Sequence, residues 1–376
     1  MKILADPHIP YLAHYFAAYG ELMLKPGRML IHDDVKEIDI LLVRSITPVN
    51  EKLLANTNVK FVGSISAGAD HIDAAWLQRV GIPWRCAMGF NAVPVADYVV
   101  CVIAALQHYQ RLLCAPRKKA AVIGVGHVGR IVAARLALLN FEVILCDPLR
   151  AHTEKDFVST PLTDIADVDF ISLHVPLTKT AAHPTYHFID DAFLQRQKSG
   201  CILLNASRGG VIDSAALIRS GQHLQGCFDV WEHEPNINMQ LLERAVIATP
   251  HIAGHSIQGK IRGIDMIYRA ACELGVIAPH SSQSPVVMPT QTLTTAATTW
   301  QEIVLSIFNP QQLTEILRKN LLSTSHPGVA FDHLRNHFND RHEFAFTKII
   351  SAFPDLISTQ EKTLLQAFGI EITACP

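Results

Sequence analysis

The feature that most restricts the fold of this chain is an apolar segment that runs directly into a glycine-rich turn. Residues 120–123 are apolar, and the segment from Gly124 to Gly129 reads Gly-x-Gly-x-x-Gly. Glycines at this spacing permit a tight turn, close approach of the backbone to a pyrophosphate, and close packing of the following helix on the strand. The pattern predicts a strand, a phosphate-binding turn and a helix within a parallel sheet.

The residues around this turn predict the cofactor. The glycines Gly124, Gly126 and Gly129, with His127 and Val128 at the start of the helix, form the predicted pyrophosphate site. Asp147 ends the next apolar run, where a carboxylate accepts hydrogen bonds from ribose hydroxyls and repels a 2′-phosphate. We therefore predict NAD. Arg150 lies nearby, so NADP is an alternative cofactor. Two other interpretations are a methylated-nucleoside cofactor and glycines that serve only as turn residues.

Apolar runs recur along the chain at intervals that suit parallel strands joined by helices. Six follow one another at 120–123, 142–146, 170–173, 201–205, 225–230 and 245–248, and three others lie at 1–5, 38–43 and 59–62. Largely apolar strands are typical of sheets covered on both faces. We expect an α/β protein with doubly wound parallel sheets, the larger of them of the Rossmann type.

Three later strands each end at a residue that the oxidation of a hydroxy acid needs. Arg208 is a cation suited to hold a carboxylate, and His251 carries an imidazole, whose ordinary pKa near about 6.5 suits a general base. Glu234 is the predicted carboxylate behind that imidazole. Glu232 is the alternative acid, and His233 and His255 are the alternatives to His251. Each residue alone would more often be structural, but consecutive strand ends meet at one edge of the sheet.

Five ordered motifs then resemble the D-isomer-specific 2-hydroxyacid dehydrogenases. They are GVGHVG at 124–129, His174-Val175-Pro176-Leu177, Asn205-Ala206-Ser207-Arg208-Gly209, DVWEHEP at 229–235 and Pro250-His251-Ile252-Ala253-Gly254. The resemblance implies the same catalytic set, Arg208, Glu234 and His251. It also implies that Asp229 contacts NAD near the nicotinamide and that the remaining cofactor contacts come from His174, Pro176, Ala206, Ser207, Arg208 and Gly254.

Segments outside this core resemble the substrate domain of one member of the family. By that resemblance Ser45 and Ser66 bind substrate, with Ser66 keeping the hydroxyl of an expected Thr. His255 stands where a Tyr is expected and is a further candidate substrate contact. Arg44, at a strand end, is a cation suited to an anionic hydroxy acid.

The same resemblance implies a division into three domains. A flavodoxin-like substrate domain spans 1–92 and is completed by a helix at 257–280, and the NAD domain spans 93–256. A Ser- and Pro-rich linker then leads to a small α+β dimerisation domain at 290–376, so we expect a homodimer. Arg335 and Arg341 are candidate cations that reach a substrate phosphate across the dimer interface; the alternative is that they form surface salt bridges.

Composition narrows the class of partner. The chain has 376 residues and a net charge of −2, which argues against a broad basic surface for nucleic acid. No signal peptide or long apolar run is evident, so we expect no membrane association and a cytoplasmic location. The eight cysteines are scattered without a CxxC pair, so we expect no metal site. The alternative to an enzyme is a non-catalytic regulator that senses NADH, because the family that the chain resembles contains transcriptional co-repressors.

Overall fold

The computed structural model describes residues 1–109, 112, 118–279 and 286–374, and these divide into two compact units. The first unit is Met1–Asn91 with Ser256–Pro289, and the second is Ala92–His255 with Thr290–Pro376. Residues 280–285 of the predicted linker lie outside the described residues. The helix predicted at 257–280 is shorter than expected, because it ends at Glu273.

The first unit is built on a parallel sheet of five strands. They are β1 (Lys2–Ala5), β2 (Glu21–Leu24), β3 (Ile40–Val43), β4 (Phe61–Ser64) and β5 (Trp84–Cys86), in the order β2-β1-β3-β4-β5. This is the flavodoxin-like order. The helices before residue 91 are short: α1 (Leu12–Phe16), α2 (His32–Val35), α3 (Glu51–Leu54) and α4 (Ala74–Val80).

The longest helix of the first unit comes from a distant part of the sequence. Residues Ile257–Glu273 form a helix that Ser256 caps by accepting a hydrogen bond from the Gly259 N–H. Its apolar face, with Ile264 and Ile267, lies in one core cluster with strand residues of β1, β3 and β4. A Cβ on Gly63 would lie 2.4 Å from Ile267 Cγ2, so this glycine lets the helix approach the sheet closely.

The second unit contains the sheet that the glycine-rich turn predicted. Its strands are β6 (Lys118–Ile123), β7 (Phe141–Cys146), β8 (Phe170–Leu173), β9 (Ile202–Asn205), β10 (Gln225–Phe228) and β11 (Ile247–Ala248), all paired in parallel. The order β11-β10-β9-β8-β6-β7 reverses at β6, which has β7 on one side and β8 on the other. The predicted α/β class with doubly wound parallel sheets is confirmed.

A buried helix, α5 (Ala92–His108), supports this sheet. Most of its residues are apolar and inaccessible to solvent, as expected of a helix enclosed by protein on all sides. The remaining helices up to residue 244 connect the strands: α6 (His127–Leu138), α7 (Pro148–Thr153), α8 (Asp191–Gln195), α9 (Ser214–Ser220) and α10 (Met239–Arg244). The helix Ile257–Glu273 is α11.

The C-terminal segment adds four helices and a small parallel sheet to the second unit. The sheet has the order β12 (Gln291–Thr295), β13 (Thr347–Ser351), β14 (Glu371–Ala374), and the helices are α12 (Trp300–Ile307), α13 (Pro310–Leu322), α14 (Pro327–Asn336) and α15 (Thr359–Ala367). Ile303 and Phe344 share a core cluster with α5, and Phe331 shares one with Trp231. At the edge of the larger sheet, Ala248 N–H donates to Thr314 Oγ1 at 2.9 Å.

Candidate active site

The glycine-rich turn has the geometry that a dinucleotide needs. Gly124 has φ 86°, and a Cβ there would lie 2.6 Å from the His174 carbonyl oxygen. A Cβ on Gly129 would lie 1.9 Å from the Gly124 carbonyl oxygen, so only glycine lets α6 pack this close to the turn. Gly126 differs, because nothing lies within 4 Å of its Cβ position. The outer side of the turn is therefore open where a pyrophosphate would lie.

The start of α6 supplies donors for that phosphate. Gly126 is the N-cap and forms no side-chain capping bond, so the first-turn N–H groups, including those of His127 and Val128, face outward from an uncapped helix end. A helix N-terminus carries partial positive charge and binds anions. The residues present thus fit the phosphates of NAD, with no lysine or arginine required.

Asp147 lies beside the turn and has structural partners as well. Its Oδ2 accepts from the Val125 N–H at 2.8 Å, and its Oδ1 accepts from the Arg150 N–H at 3.0 Å, which caps α7. Arg150 donates from Nη1 to the Val125 carbonyl and from Nε to Glu154. Arg150, the residue that made NADP an alternative, is therefore bonded to protein groups. Asp147 directly follows β7, the position from which we predict a contact with the ribose.

The segment after β8 contains the predicted cofactor contacts His174 and Pro176. His174 Nε2 lies 2.8 Å from Ser172 Oγ, and burial lowers its pKa from the ordinary 6.5 to about 3. The Pro176 carbonyl accepts from the Thr185 hydroxyl at 2.5 Å. His174 is thus an uncharged donor or acceptor at the switch point of the sheet, not a cation.

The loop after β9 presents Arg208. Asn205 Oδ1 accepts from both the N–H and the hydroxyl of Ser207, and Asn205 Nδ2 donates to the Arg208 carbonyl. These bonds hold Ala206, Ser207 and the half-buried Arg208 in a tight turn. A Cβ on Gly209 would lie 2.0 Å from the Trp231 carbonyl oxygen, so this glycine brings the Arg208 loop against the segment that leads to Glu234.

Asp229 organises the loop that carries His251. This buried carboxylate accepts from Thr249 Oγ1 at 2.6 Å and from the N–H groups of Ile252 and Ala253 at 2.8 and 2.9 Å. Burial raises its pKa, while His251 and these donors act in the opposite direction. Gly254 and His255 follow in the same turn, closed by a bond from the His255 N–H to the Ile252 carbonyl at 2.8 Å.

Glu234 and His251 form a hydrogen-bonded pair. His251 Nδ1 lies 2.7 Å from Glu234 Oε2, and Glu234 Oε1 accepts from the Trp231 N–H at 2.8 Å. Burial would raise the pKa of Glu234, but the charges of His251 and Arg335 and the two hydrogen bonds hold it below the ordinary value. With Nδ1 committed to the carboxylate, Nε2 is the nitrogen available to a substrate. An ionised acid behind an imidazole fixes its tautomer and stabilises its charged form.

The alternatives left open by the sequence lie elsewhere. Glu232 Oε1 is 2.5 Å from His187 Nε2, so this acid pairs with a different histidine. His233 is 80% exposed, and its Nε2 lies 4.0 Å from Glu232 Oε1. His255 contacts the Phe338 ring, with the ring centroids 6.3 Å apart. The geometry therefore favours Glu234 and His251 over these residues.

The candidate substrate residues of the first unit lie near the ends of β3 and β4. Arg44 Nη1 is 3.7 Å from the buried carboxylate of Asp6, and Ser45 beside it is half-buried. Ser66 is 4% exposed; its hydroxyl lies 2.8 Å from Ser64 Oγ and donates to the Gly68 carbonyl at 2.8 Å. The Ser66 hydroxyl is thus part of an internal polar cluster.

The structure corrects the hypothesis that Arg335 and Arg341 reach a substrate phosphate on a partner chain. Arg341 is 6% exposed, and its guanidinium donates to the carbonyls of Pro94, Ile252, Ala253 and His255 at 2.5–3.3 Å. Arg335 is 8% exposed and lies 3.8 Å from Glu234. Both cations are directed inward because the loops of the active site supply their partners. Sequence reasoning missed this contact, since no local pattern links residues so far apart in the chain.

Comparison with known proteins identifies the family of the chain. Residues 104–253 match the family model described as D-isomer specific 2-hydroxyacid dehydrogenase, NAD binding domain. An erythronate-4-phosphate dehydrogenase of Coxiella burnetii is 45% identical over 350 residues, covering 92% of this chain and 94% of that protein. One of Proteus mirabilis is 35% identical over 386 residues, covering 99% and 100%.

Solved structures share the fold. The D-lactate dehydrogenase of Aquifex aeolicus, complexed with NAD and lactic acid, aligns with a TM-score of 0.63 at 23% identity, covering 73% of this chain and 96% of that one. The NAD⁺-bound 3-phosphoglycerate dehydrogenase of Entamoeba histolytica aligns with a TM-score of 0.62 at 22% identity, covering 75% and 98%. Among the described residues no helix is long and apolar enough to cross a membrane, and no cluster suits a metal ion.

Proposed function

The chain belongs to the erythronate-4-phosphate dehydrogenase family of D-isomer-specific 2-hydroxyacid dehydrogenases, and from this premise we propose its reaction. It is an NAD-dependent oxidoreductase that converts 4-phospho-D-erythronate to (R)-3-hydroxy-2-oxo-4-phosphooxybutanoate, a step in the formation of pyridoxal 5′-phosphate. The observation that carries the proposal is the hydrogen-bonded Glu234–His251 pair on the sheet that bears the dinucleotide turn.

The reaction divides between the cofactor and the side chains. Bound NAD supplies the hydride acceptor. His251 Nε2 takes the proton of the C2 hydroxyl as the C2–H bond breaks and the carbonyl forms, so the histidine becomes positively charged. Glu234, ionised and bound to Nδ1, stabilises that charge. In the reverse direction the same imidazolium returns the proton.

Arg208 holds the substrate carboxylate. Its planar guanidinium suits two parallel hydrogen bonds to a carboxylate, and beside C2 it also polarises the developing carbonyl oxygen. The Asn205 side chain and the Gly209 contact described above keep its loop in place. Arg208, Glu234 and His251 thus have the roles of anchor, supporting acid and acid/base.

Four further residues are proposed as substrate contacts. Arg44, Ser45 and Ser66 belong to the first unit, with Arg44 as the proposed cation for the negative charge of the substrate, and His255 belongs to the second unit. The Asp6 carboxylate, 3.7 Å from Arg44 Nη1, would keep the guanidinium oriented. A phosphorylated rather than a plain hydroxy acid is therefore the proposed substrate.

We also propose a homodimer formed through residues 290–376, in a cytoplasmic protein. Phe353 and Leu356 are 51% and 66% exposed beyond the end of β13, and exposed apolar side chains of this size favour a protein contact. The cysteines in the described part of the chain are free thiols, as expected in a reducing compartment. Light scattering of the purified protein tests the dimer, and F353S/L356S should shift it to monomer.

The assay for the function measures NADH absorbance with 4-phosphoerythronate, 3-phosphoglycerate and unphosphorylated erythronate side by side. The proposal expects the highest kcat/KM with 4-phosphoerythronate. R44M should raise its KM at least tenfold and leave erythronate turnover nearly unchanged. A preference for 3-phosphoglycerate would reassign the substrate, and no NADH from any acid would favour the regulator instead.

A further inference from the structure

One face of α14 packs along the segment that carries Glu234. Gly328, Phe331 and Arg335 are spaced three and four residues apart, so they share that face. A Cβ on Gly328 would lie 2.4 Å from Asn236 Oδ1 and 3.5 Å from Pro235 Cγ, and Phe331 is fully buried. The start of α14 thus packs against residues 235–236, and its middle packs in the core cluster that Phe331 shares with Trp231.

Arg335 lies at the end of this face, next to the acid–histidine pair. Its Nη1 is 3.8 Å from Glu234 Oε2, the oxygen to which His251 Nδ1 is bonded. Arg335 is 8% exposed and Glu234 is 16% exposed. Charges removed from water in this way interact more strongly than surface ion pairs.

A second arginine of the same segment acts on the other half of the pair. Arg341 donates to the carbonyls of Ile252, Ala253 and His255, the turn that directly follows His251. The C-terminal segment therefore contacts both loops that meet at the Glu234–His251 hydrogen bond. This arrangement is more than packing, because one contact places a full positive charge beside the carboxylate.

We propose that Arg335 is a positioning residue for the reaction: from the C-terminal segment it orients the Glu234 carboxylate and moderates that acid's hold on His251. The inference rests on the proposed function, in which Glu234 and His251 are the acid–base pair. It assigns the C-terminal segment a part in catalysis within its own chain, separate from any role in assembly.

The sign of the effect follows from the charges that surround the pair. Glu234 faces His251 and Arg335, and His251 faces Glu234 and Asp229. Arg335 partly offsets the negative charge that stabilises a protonated His251. Without it the imidazolium is more stable, so a higher pH is needed to obtain the neutral base. The acidic limb of kcat/KM for hydroxy-acid oxidation should then move to higher pH.

The experiment compares R335M and R335K with the wild type over pH 5–9. We expect R335M to move the acidic limb upward by roughly 0.5–1 pH unit, a threefold to tenfold loss below the limb, while R335K keeps most of the original profile. R318M is the matched control. Within the described part of the chain Arg318 donates to main-chain carbonyls of residues 242–245, so its loss should lower Tm without moving the limb.

NADH binding, followed by fluorescence, separates the outcomes. If R335M binds NADH normally and its limb stays with that of R318M, Arg335 is only structural and the inference fails. If R335M does not fold, R335Q, which also lacks the charge, replaces it: an upward limb supports the need for the charge, and a limb that stays with that of R318M overturns the inference. An upward limb in R335K, despite the retained charge, also overturns it. A wild type without activity on any hydroxy acid would instead defeat the proposed function.

Discussion

Two carboxylates separated by one residue each pair with a histidine, and we propose different roles for the two pairs. In the first pair Glu234 binds Nδ1 of His251 at 2.7 Å; in the second pair Glu232 binds Nε2 of His187 at 2.5 Å. Their exposure is similar, with 26% and 16% for the first and 30% and 10% for the second. Burial and distance therefore do not distinguish the proposed acid–base pair from the second pair.

The bound nitrogen and the neighbouring groups do separate them. In the first pair the outer nitrogen, Nε2, remains for a substrate, and Arg335 and the Trp231 N–H act on the carboxylate. In the second pair the outer nitrogen is itself used, and the His187 ring stacks on Tyr186 with centroids 3.9 Å apart. These differences support the proposal that the first pair performs proton transfer and the second pair ties loops together.

The largest effect should follow removal of the first histidine. H251N suits the site because Asn tolerates the left-handed backbone, φ 59°, that His251 adopts. We expect kcat to fall by about 10²–10⁴-fold, the usual contribution of a general base. NADH affinity should stay within about threefold. Steady-state kinetics and NADH titration test this, and turnover near the wild-type level would remove His251 from the mechanism.

The next effect concerns the acid of the first pair. E234Q keeps the side-chain shape but no longer stabilises the imidazolium, so we expect kcat/KM to fall by about 10–10³-fold. Since the protonated imidazole is then less stable, the acidic limb should move to lower pH, opposite to the direction expected for R335M. A limb that moves upward in E234Q would contradict the electrostatic account.

A third histidine, His174, is bonded to the hydroxyl of Ser172 instead of a carboxylate, and its protonation is expected to affect stability. Burial lowers the pKa of His174 to about 3, below the ordinary 6.5 of an unfolded chain. As pH falls below about 6.5, His174 becomes protonated in the unfolded chain but stays neutral in the folded protein. The free energy of unfolding therefore decreases. Between pH 6 and 4 the wild type should lose about 1.4 kcal/mol per pH unit more than H174Q. Urea unfolding at several pH values measures this difference, and parallel curves would refute it.

The smallest effect on activity should follow disruption of the second pair. We expect E232Q to keep kcat/KM within about threefold, because His187 has no part in the proposed proton transfer. Burial would raise the pKa of Glu232, but hydrogen bonds from His187 and Ser214 hold it below the ordinary value, so these bonds stabilise the ionised acid. Because E232Q weakens them, its free energy of unfolding should fall by about 1–2 kcal/mol. Kinetics and thermal unfolding check both statements. A loss of kcat/KM as large as that expected for E234Q would show that the two pairs contribute equally to activity and would contradict the proposed difference between them.

Much of the fold was predictable because its signals are local. The apolar runs, the glycine spacing and the strand-end residues all act within a few positions, and the six predicted strands of the larger sheet appear in one parallel sheet. Alternation along the chain also places Arg208, Glu234 and His251 after successive strands, which brings them to one edge. The predicted phosphate cations failed for the opposite reason, since the partners of Arg335 and Arg341 lie far away in sequence.

The sequence by itself determined the dinucleotide turn, the parallel sheet and the set of candidate acids and bases. Only the tertiary structure decided between neighbouring candidates. Glu232 and Glu234 flank His233, whose φ of 64° turns the chain so that the two carboxylates meet different histidines. The physical reason is that side-chain direction depends on backbone dihedrals and on partners from remote segments, such as α14, which composition and spacing do not encode.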